Sequence, residues 1–160
     1  MSNAKEIRQI TKDEYIQIAE LKWTMQCEES PTIAIKNNKD EFIQKCLLML
    51  LKPLNLENYF HFGVFENGTL IAIASLCIIN KIPRPQKIID KIGYLTNVYV
   101  LQQLRNKGIG NDLIIKINEF AHDNDSELII VWPSDKSKPF YNRLDYKPEN
   151  QPLVHKIRDY

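Results

Sequence analysis

The sequence predicts a single-domain α/β fold, and three features of the chain predict it. Apolar residues keep helical spacing over the first fifty positions. From Tyr59 the pattern changes to runs of aromatic and β-branched residues joined by an Asn-Gly pair. Between Gly93 and His122 a strand-like run, a glycine loop and an amphipathic helix follow one another without a break. A length of 160 residues is enough for one sizeable core and short for two, so residues 1–160 are read as one domain.

A first strand is expected over Glu6–Ile10. Thr11 and Glu14 are then spaced as a capping box, and a helix is expected over Lys12–Glu29, with Tyr15, Ile18, Ala19 and Leu21 to Met25 on its apolar side and Ser30-Pro31 ending it. Asn38, with Glu41 three residues on, caps a second helix over Lys39–Leu51, stopped by Pro53. Tyr59–Phe65 and Leu70–Ile79, joined by Glu66-Asn67-Gly68-Thr69, are expected to pair as a hairpin.

Pro83 and Pro85 make Ile82–Lys91 a surface loop, and Gly93–Val100 the next strand. After the glycine loop, Ile109, Leu113, Ile114, Ile117, Phe120 and Ala121 form one stripe of a helix reaching about His122. Glu127–Trp132 is a short buried-type strand, and Lys136–Leu144 a short helix that tolerates Pro139 in its first turn. The chain is expected to return as strand from Tyr146, with a possible last strand over Pro152–Ile157. The expected order is β-α-α-β-β-β-α-β-α-β.

Composition narrows the function classes. Hydrophobic residues make up 44% and charged residues 26%, the balance of an ordinary globular chain. Lys plus Arg number 21 against 20 Asp plus Glu, so no whole-molecule field recruits nucleic acid or an anionic membrane. Cys27, Cys46 and Cys77 lack metal or redox spacing and are read as reduced thiols, and His61, His122 and His155 make no metal set. No metal is expected. The longest apolar run, Cys46–Leu51, is far shorter than the roughly 20 residues of a membrane span, and the polar N-terminus has no signal-peptide pattern, so a cytoplasmic protein is expected.

The chemistry concentrates in Arg105-Asn106-Lys107-Gly108-Ile109-Gly110. Two glycines two positions apart let the backbone turn tightly, and the helix that follows aims unpaired N–H groups and a partial positive charge at whatever lies before it. Such a segment cradles a phosphate; it also occurs as an ordinary strand-to-helix turn in which the glycines serve sterics alone. A dinucleotide-binding loop is disfavoured by Leu113 at the third glycine position, and a Walker A loop by the missing Gly-Lys-Ser/Thr. No Gly-x-Ser-x-Gly elbow supports a serine hydrolase.

Arg-x-x-Gly-x-Gly after a strand resembles the acetyl-coenzyme A loop of the GCN5-related N-acetyltransferase (GNAT) superfamily, and Tyr141-Asn142-Arg143-Leu144-Asp145-Tyr146 resembles that family's Tyr-x-x-x-Gly-Phe segment. The resemblance spans nearly the whole chain, with its specific motifs between Gly93 and Tyr146. It implies a mixed, mostly antiparallel central sheet flanked by helices, and acetyl-CoA as cosubstrate. It implies that backbone groups of Val98 and Val100 pair with the pantetheine arm and that Arg105, Asn106, Lys107, Gly108, Ile109 and Gly110 hold the pyrophosphate. Tyr141 falls at the family's general acid, a phenol that can give a proton to the departing sulfur; a half-buried helical tyrosine is the alternative.

An N-acetyltransferase acting on a primary amine by direct attack in a ternary complex is implied, with a non-catalytic acyl-CoA-binding module as the alternative. Asp145 and Tyr146 replace the usual Gly and Phe, and Gln102-Gln103 stands where Pro-Glu is frequent. Gly93–Val100 lacks the carboxylate that many members use as base, which leaves Asn97 with ordered water, Glu28 or Glu29 as candidates. Trp23, Met25, Glu28, Glu29 and Tyr59 are candidates to line the acceptor cleft, and Ser134, Lys136, Ser137 and Lys138 to flank the cofactor. The acceptor is not legible, and monomer and homodimer both remain open.

Overall fold

The computed structural model describes residues 5–149 and 153–158. Five strands form one mixed sheet: β1 (Lys5–Gln9), β2 (Tyr59–Glu66), β3 (Thr69–Asn80), β4 (Lys91–Val100) and β5 (Ser126–Val131), in the order β1-β2-β3-β4-β5. The first four pair antiparallel and β5 joins β4 in parallel. The mixed, mostly antiparallel sheet expected from the resemblance is therefore present. The β2–β3 hairpin turns at Asn67 and Gly68, whose φ values of 52° and 78° suit the left-handed turn that Asn-Gly encodes.

Six helices accompany the sheet: α1 (Tyr15–Glu29), α2 (Ile33–Lys36), α3 (Lys39–Leu50), α4 (Pro53–Asn58), α5 (Ile109–Asp123) and α6 (Lys138–Asn142). The expected first helix is divided, because Lys12–Glu14 is a single 3-10 turn before α1. The Glu14 carboxylate accepts the Thr11 amide at 3.0 Å and a two-pronged bond from Arg8 at 2.7 and 2.8 Å, which fixes the entry of α1 to β1. Asn38 caps α3 as its position suggested, accepting the Glu41 amide at 3.0 Å. Pro53 does end α3, and it then occupies the first turn of α4, where its missing N–H costs nothing.

The two faces of the sheet carry separate cores. Leu76, Leu95, Leu113, Ile114 and Ile117 are fully buried between the sheet and α5. On the other face Tyr15, Ile18, Leu21, Phe65, Ile73 and Tyr99 pack beneath α1 and α3.

The return strand expected from Tyr146 is not formed: Tyr146–Glu149 and residues 153–157 carry no strand, and Pro152 lies outside the described residues. Pro148 removes a main-chain donor just after α6, and Leu153, Val154 and Ile157 are exposed, so they bury no sheet face.

Candidate functional site

Strand β4 changes character halfway along. Gly93, Tyr94 and Leu95 pair with Ile129, Ile130 and Val131 of β5, and the pairing ends there, although β4 runs on to Val100. Among the described residues, the edge of β4 that faced β5 has no strand partner from Thr96 onward. At the same point the register against β3 slips between Ile73 and Ser75, leaving Asn97 and Val98 both opposite Ala74. Asn97 takes up this bulge with φ +53°, a conformation that asparagine enters more readily than most residues.

The slip also decides which main-chain groups look outward. Leu101 donates to the Ile71 carbonyl at 3.1 Å, and main-chain groups alternate sides along a strand, so those of Val100 and Val98 face away from β3 toward the open edge. The Val100 carbonyl is taken by Arg105 Nε at 2.9 Å.

The glycine loop closes this edge. Asn106 and Gly108 are both left-handed, with φ 61° and 81°, and Gly108 caps α5. A Cβ on Gly108 would meet nothing within 4 Å, so its requirement is the positive φ. Gly110 differs: a Cβ there would stand 3.3 Å from Phe140 and 3.6 Å from Val100, so its bareness lets α5 lie against α6 and β4. Among the described residues the amides of Asn106, Lys107, Gly108, Ile109, Gly110 and Asn111 have no main-chain or side-chain acceptor. Six successive unbonded donors at a helix N-terminus, beside an open strand edge, form a seat for an anion. The Arg105 amide is outside that set, being bonded to Gln102 O at 3.3 Å.

The Arg105 side chain is withdrawn as well. Its guanidinium grips Glu28 of α1 at 2.6 and 3.0 Å and lies over the Tyr99 ring. Tyr99 donates its hydroxyl to the same carboxylate at 2.8 Å. The Arg105 hydrogen bond, joined by that of Tyr99, holds the Glu28 carboxyl below its ordinary range, which leaves it a weak proton acceptor. Lys107 has no ion pair among the described residues and supplies the loop's uncommitted charge.

Tyr141 is buried in α6, its ring edge-on to Phe140 at 5.0 Å and to Tyr146 at 5.6 Å. Burial pushes its phenol up to about 12, so it keeps its proton at neutral pH and can donate. Its hydroxyl has no partner among the described residues. Asp145 adopts φ +67°, standing in for a glycine, and Tyr146 folds back so that its hydroxyl reaches Asn118 on α5 at 2.7 Å. Nearby, Lys138 is paired with Asp135 at 2.7 Å and Ser134 bonds Ser137 at 3.1 Å.

The other candidates are scattered. Glu29 accepts from Gln26, Trp23 packs on Phe42, and Tyr59 stacks on His61. Met25 and Asn97 line a cavity of about 340 Å³ between α1, α3 and the sheet. The Asn97 side chain is committed there, accepting from Lys22 Nζ at 2.9 Å. Lys22 was not singled out from the sequence, although a cation among Ile18, Leu21 and Met25 on the apolar face of a helix is a readable signal. The buried His61–Ser75 pair was also missed; Nδ1 and Oγ lie 2.7 Å apart across β2 and β3. Among the described residues there is no cluster able to hold a metal and no helix long and apolar enough to cross a membrane.

Comparison with known proteins agrees with this geometry. The model of the acetyltransferase (GNAT) family matches residues 13–146. A glucosamine 6-phosphate N-acetyltransferase of Trypanosoma brucei brucei is 28% identical over 86 residues, 54% of this chain, and the match spans only 56% of that relative's length. Among solved structures, a GCN5-related N-acetyltransferase from Ralstonia eutropha JMP134 superposes with TM-score 0.72 at 22% identity, covering 96% of this chain and 99% of that one. A predicted acetyltransferase from Clostridium acetobutylicum, solved with acetyl-CoA, gives 0.71 at 17% identity over 96% of this chain and 97% of that one. With a family match over most of its length and an acetyltransferase fold throughout, this chain belongs to the GNAT acetyltransferase family.

Proposed function

We propose that the chain is an N-acetyltransferase that moves the acetyl group of acetyl-CoA to a primary amine by direct attack in a ternary complex. The observation that carries the proposal is the juxtaposition of two unsatisfied surfaces, the β4 edge beyond Leu95 and the six free amides from Asn106 to Asn111. An extended pantetheine arm matches the first and a pyrophosphate the second. Within the loop the seat consists of the amides of Asn106, Lys107, Gly108, Ile109 and Gly110 together with the Lys107 ammonium. Arg105 acts at one remove, tying the loop to α1 through Glu28.

The outward-facing groups of Val98 and the amide of Val100, whose carbonyl is held by Arg105, bind the arm, and an N–H in this stretch polarises the thioester carbonyl as charge builds on its oxygen. The amine nitrogen bonds to the acetyl carbon, the carbon–sulfur bond breaks, and Tyr141 gives the departing sulfur a proton that solvent then returns to the phenolate. Gly93–Val100 carries no carboxylate to accept the amine's proton and Glu28 is a weak acceptor, which leaves Glu29 or ordered water near Asn97 to take it.

The missing strand carboxylate favours one other reading, an acyl-CoA-binding module without turnover. Calorimetry with acetyl-CoA, combined with thiol release from wild type and Y141F, separates the two. The enzyme is expected to bind acetyl-CoA and to lose about 100-fold in kcat on Y141F with affinity nearly unchanged. Binding without any thiol release across amine classes supports the module, and absence of binding defeats both.

A further inference from the structure

The cavity of about 340 Å³ beneath α1 and α3 is lined by apolar side chains, Ile18, Leu21, Met25, Phe42 and Ile73 among them, and by no carboxylate. Its polar residues are Lys22, Lys45, Cys46 and Asn97. Lys45 is paired with Glu41 on the outer face of α3. Lys22 has no ion pair among the described residues; its ammonium bonds Asn97 Oδ1 at 2.9 Å and touches the Met25 sulfur. A partly buried cation against an apolar wall is poorly solvated, and burial lowers the pKa of Lys22 accordingly, although the Glu29 charge opposes the shift.

Asn97 joins this cavity to the reaction edge, because the residue that holds Lys22 is also the bulge at which β4 parts from β5. On the proposed acetyltransferase function, we infer that the acceptor is a small primary amine carrying an anionic group, carboxylate or phosphate, on an apolar body, with Lys22 as its counter-ion. The body fills the crevice under α3. Lys22 bonds the bulge residue itself, so an anion held there lies beside the stretch of β4 that borders the open edge, and compact acceptors such as α-amino acids suit the arrangement. Polycationic amines meet an unpaired like charge, and sugar hydroxyls meet a wall without partners.

The test uses the full chain with acetyl-CoA and thiol release as readout, and compares L-phenylalanine, its phosphonate analogue 1-amino-2-phenylethylphosphonate, 2-phenylethylamine, glucosamine 6-phosphate and spermidine. One or both anion-bearing aromatic amines should exceed 2-phenylethylamine by about tenfold or more in kcat/KM, and which of the two leads identifies the anion. K22M should erase that preference through KM, K22R should retain it, and unchanged affinity for CoA in both variants shows that the fold is intact.

Preference for spermidine, glucosamine 6-phosphate or 2-phenylethylamine overturns the inference and leaves the acetyltransferase standing. So does a preference that survives K22M, or calorimetry with CoA present that detects neither anionic aromatic amine. Failure to bind acetyl-CoA overturns both.

Discussion

The two halves of β4 have similar composition and opposite surroundings. From Lys91 to Leu95 the strand pairs with β3 on one edge and, apart from a register shift at Ile92, with β5 on the other, and Leu95 is fully buried against the α5 core. From Thr96 to Val100 it keeps β3 and gives up β5, bulges at Asn97, and turns main-chain groups of Val98 and Val100 to an edge with no strand. The first half does what strands ordinarily do for stability. The second leaves an edge whose main-chain groups are open to another extended chain. The open edge thus arises by withholding from one half of a strand the partner that its other half has.

The sharpest way to break this comparison is to cut the same kind of side chain from each half. Leu95→Ala should cost about 2–5 kcal/mol in urea unfolding, because a cavity opens in a core with no slack. Val98→Ala, whose side chain is only partly buried, should cost about 1 kcal/mol. Equal losses would mean that the second half is as tightly built as the first.

A smaller effect is expected at the boundary between the halves. Ser75 pairs with Thr96, the first residue of the open half, and its hydroxyl meets His61 at 2.7 Å. Burial lowers the His61 pKa from 6.5 to about 4, so the folded state resists a proton that the unfolded chain accepts. The stabilising contribution is complete above pH 6.5 and is lost as pH falls toward 4, roughly 2 kcal/mol of it between pH 7 and 5. His61→Asn should flatten the urea midpoint over that range, and an unchanged slope would count against a neutral buried imidazole.

Much of the frame was legible because its signals are local. Asn67-Gly68, the Asn38 cap, the stripe of α5 and the glycine loop each depend on residues within a few positions, and each formed as its pattern indicated. Asp145 in the left-handed region was readable from its residue type. The remainder depends on contacts across long sequence separation. The partner of Arg105, Glu28, lies 77 residues away and has no local signal. The bulge at Asn97 exists only in register with β3, and Lys22 becomes significant only where α1 meets that bulge. The expected last strand is absent from residues 153–157, where Leu153, Val154 and Ile157 stand exposed with no sheet face to receive them.

Hydrogen exchange on the full chain, with and without CoA, tests the open edge and the amide seat together. The amides of Val98, Val100 and Asn106 through Asn111 should exchange quickly in the free protein and slow markedly at saturating CoA, while those of Lys91–Leu95 stay protected in both states. Loop amides that are slow without CoA, or that remain fast when CoA is bound, would contradict the account.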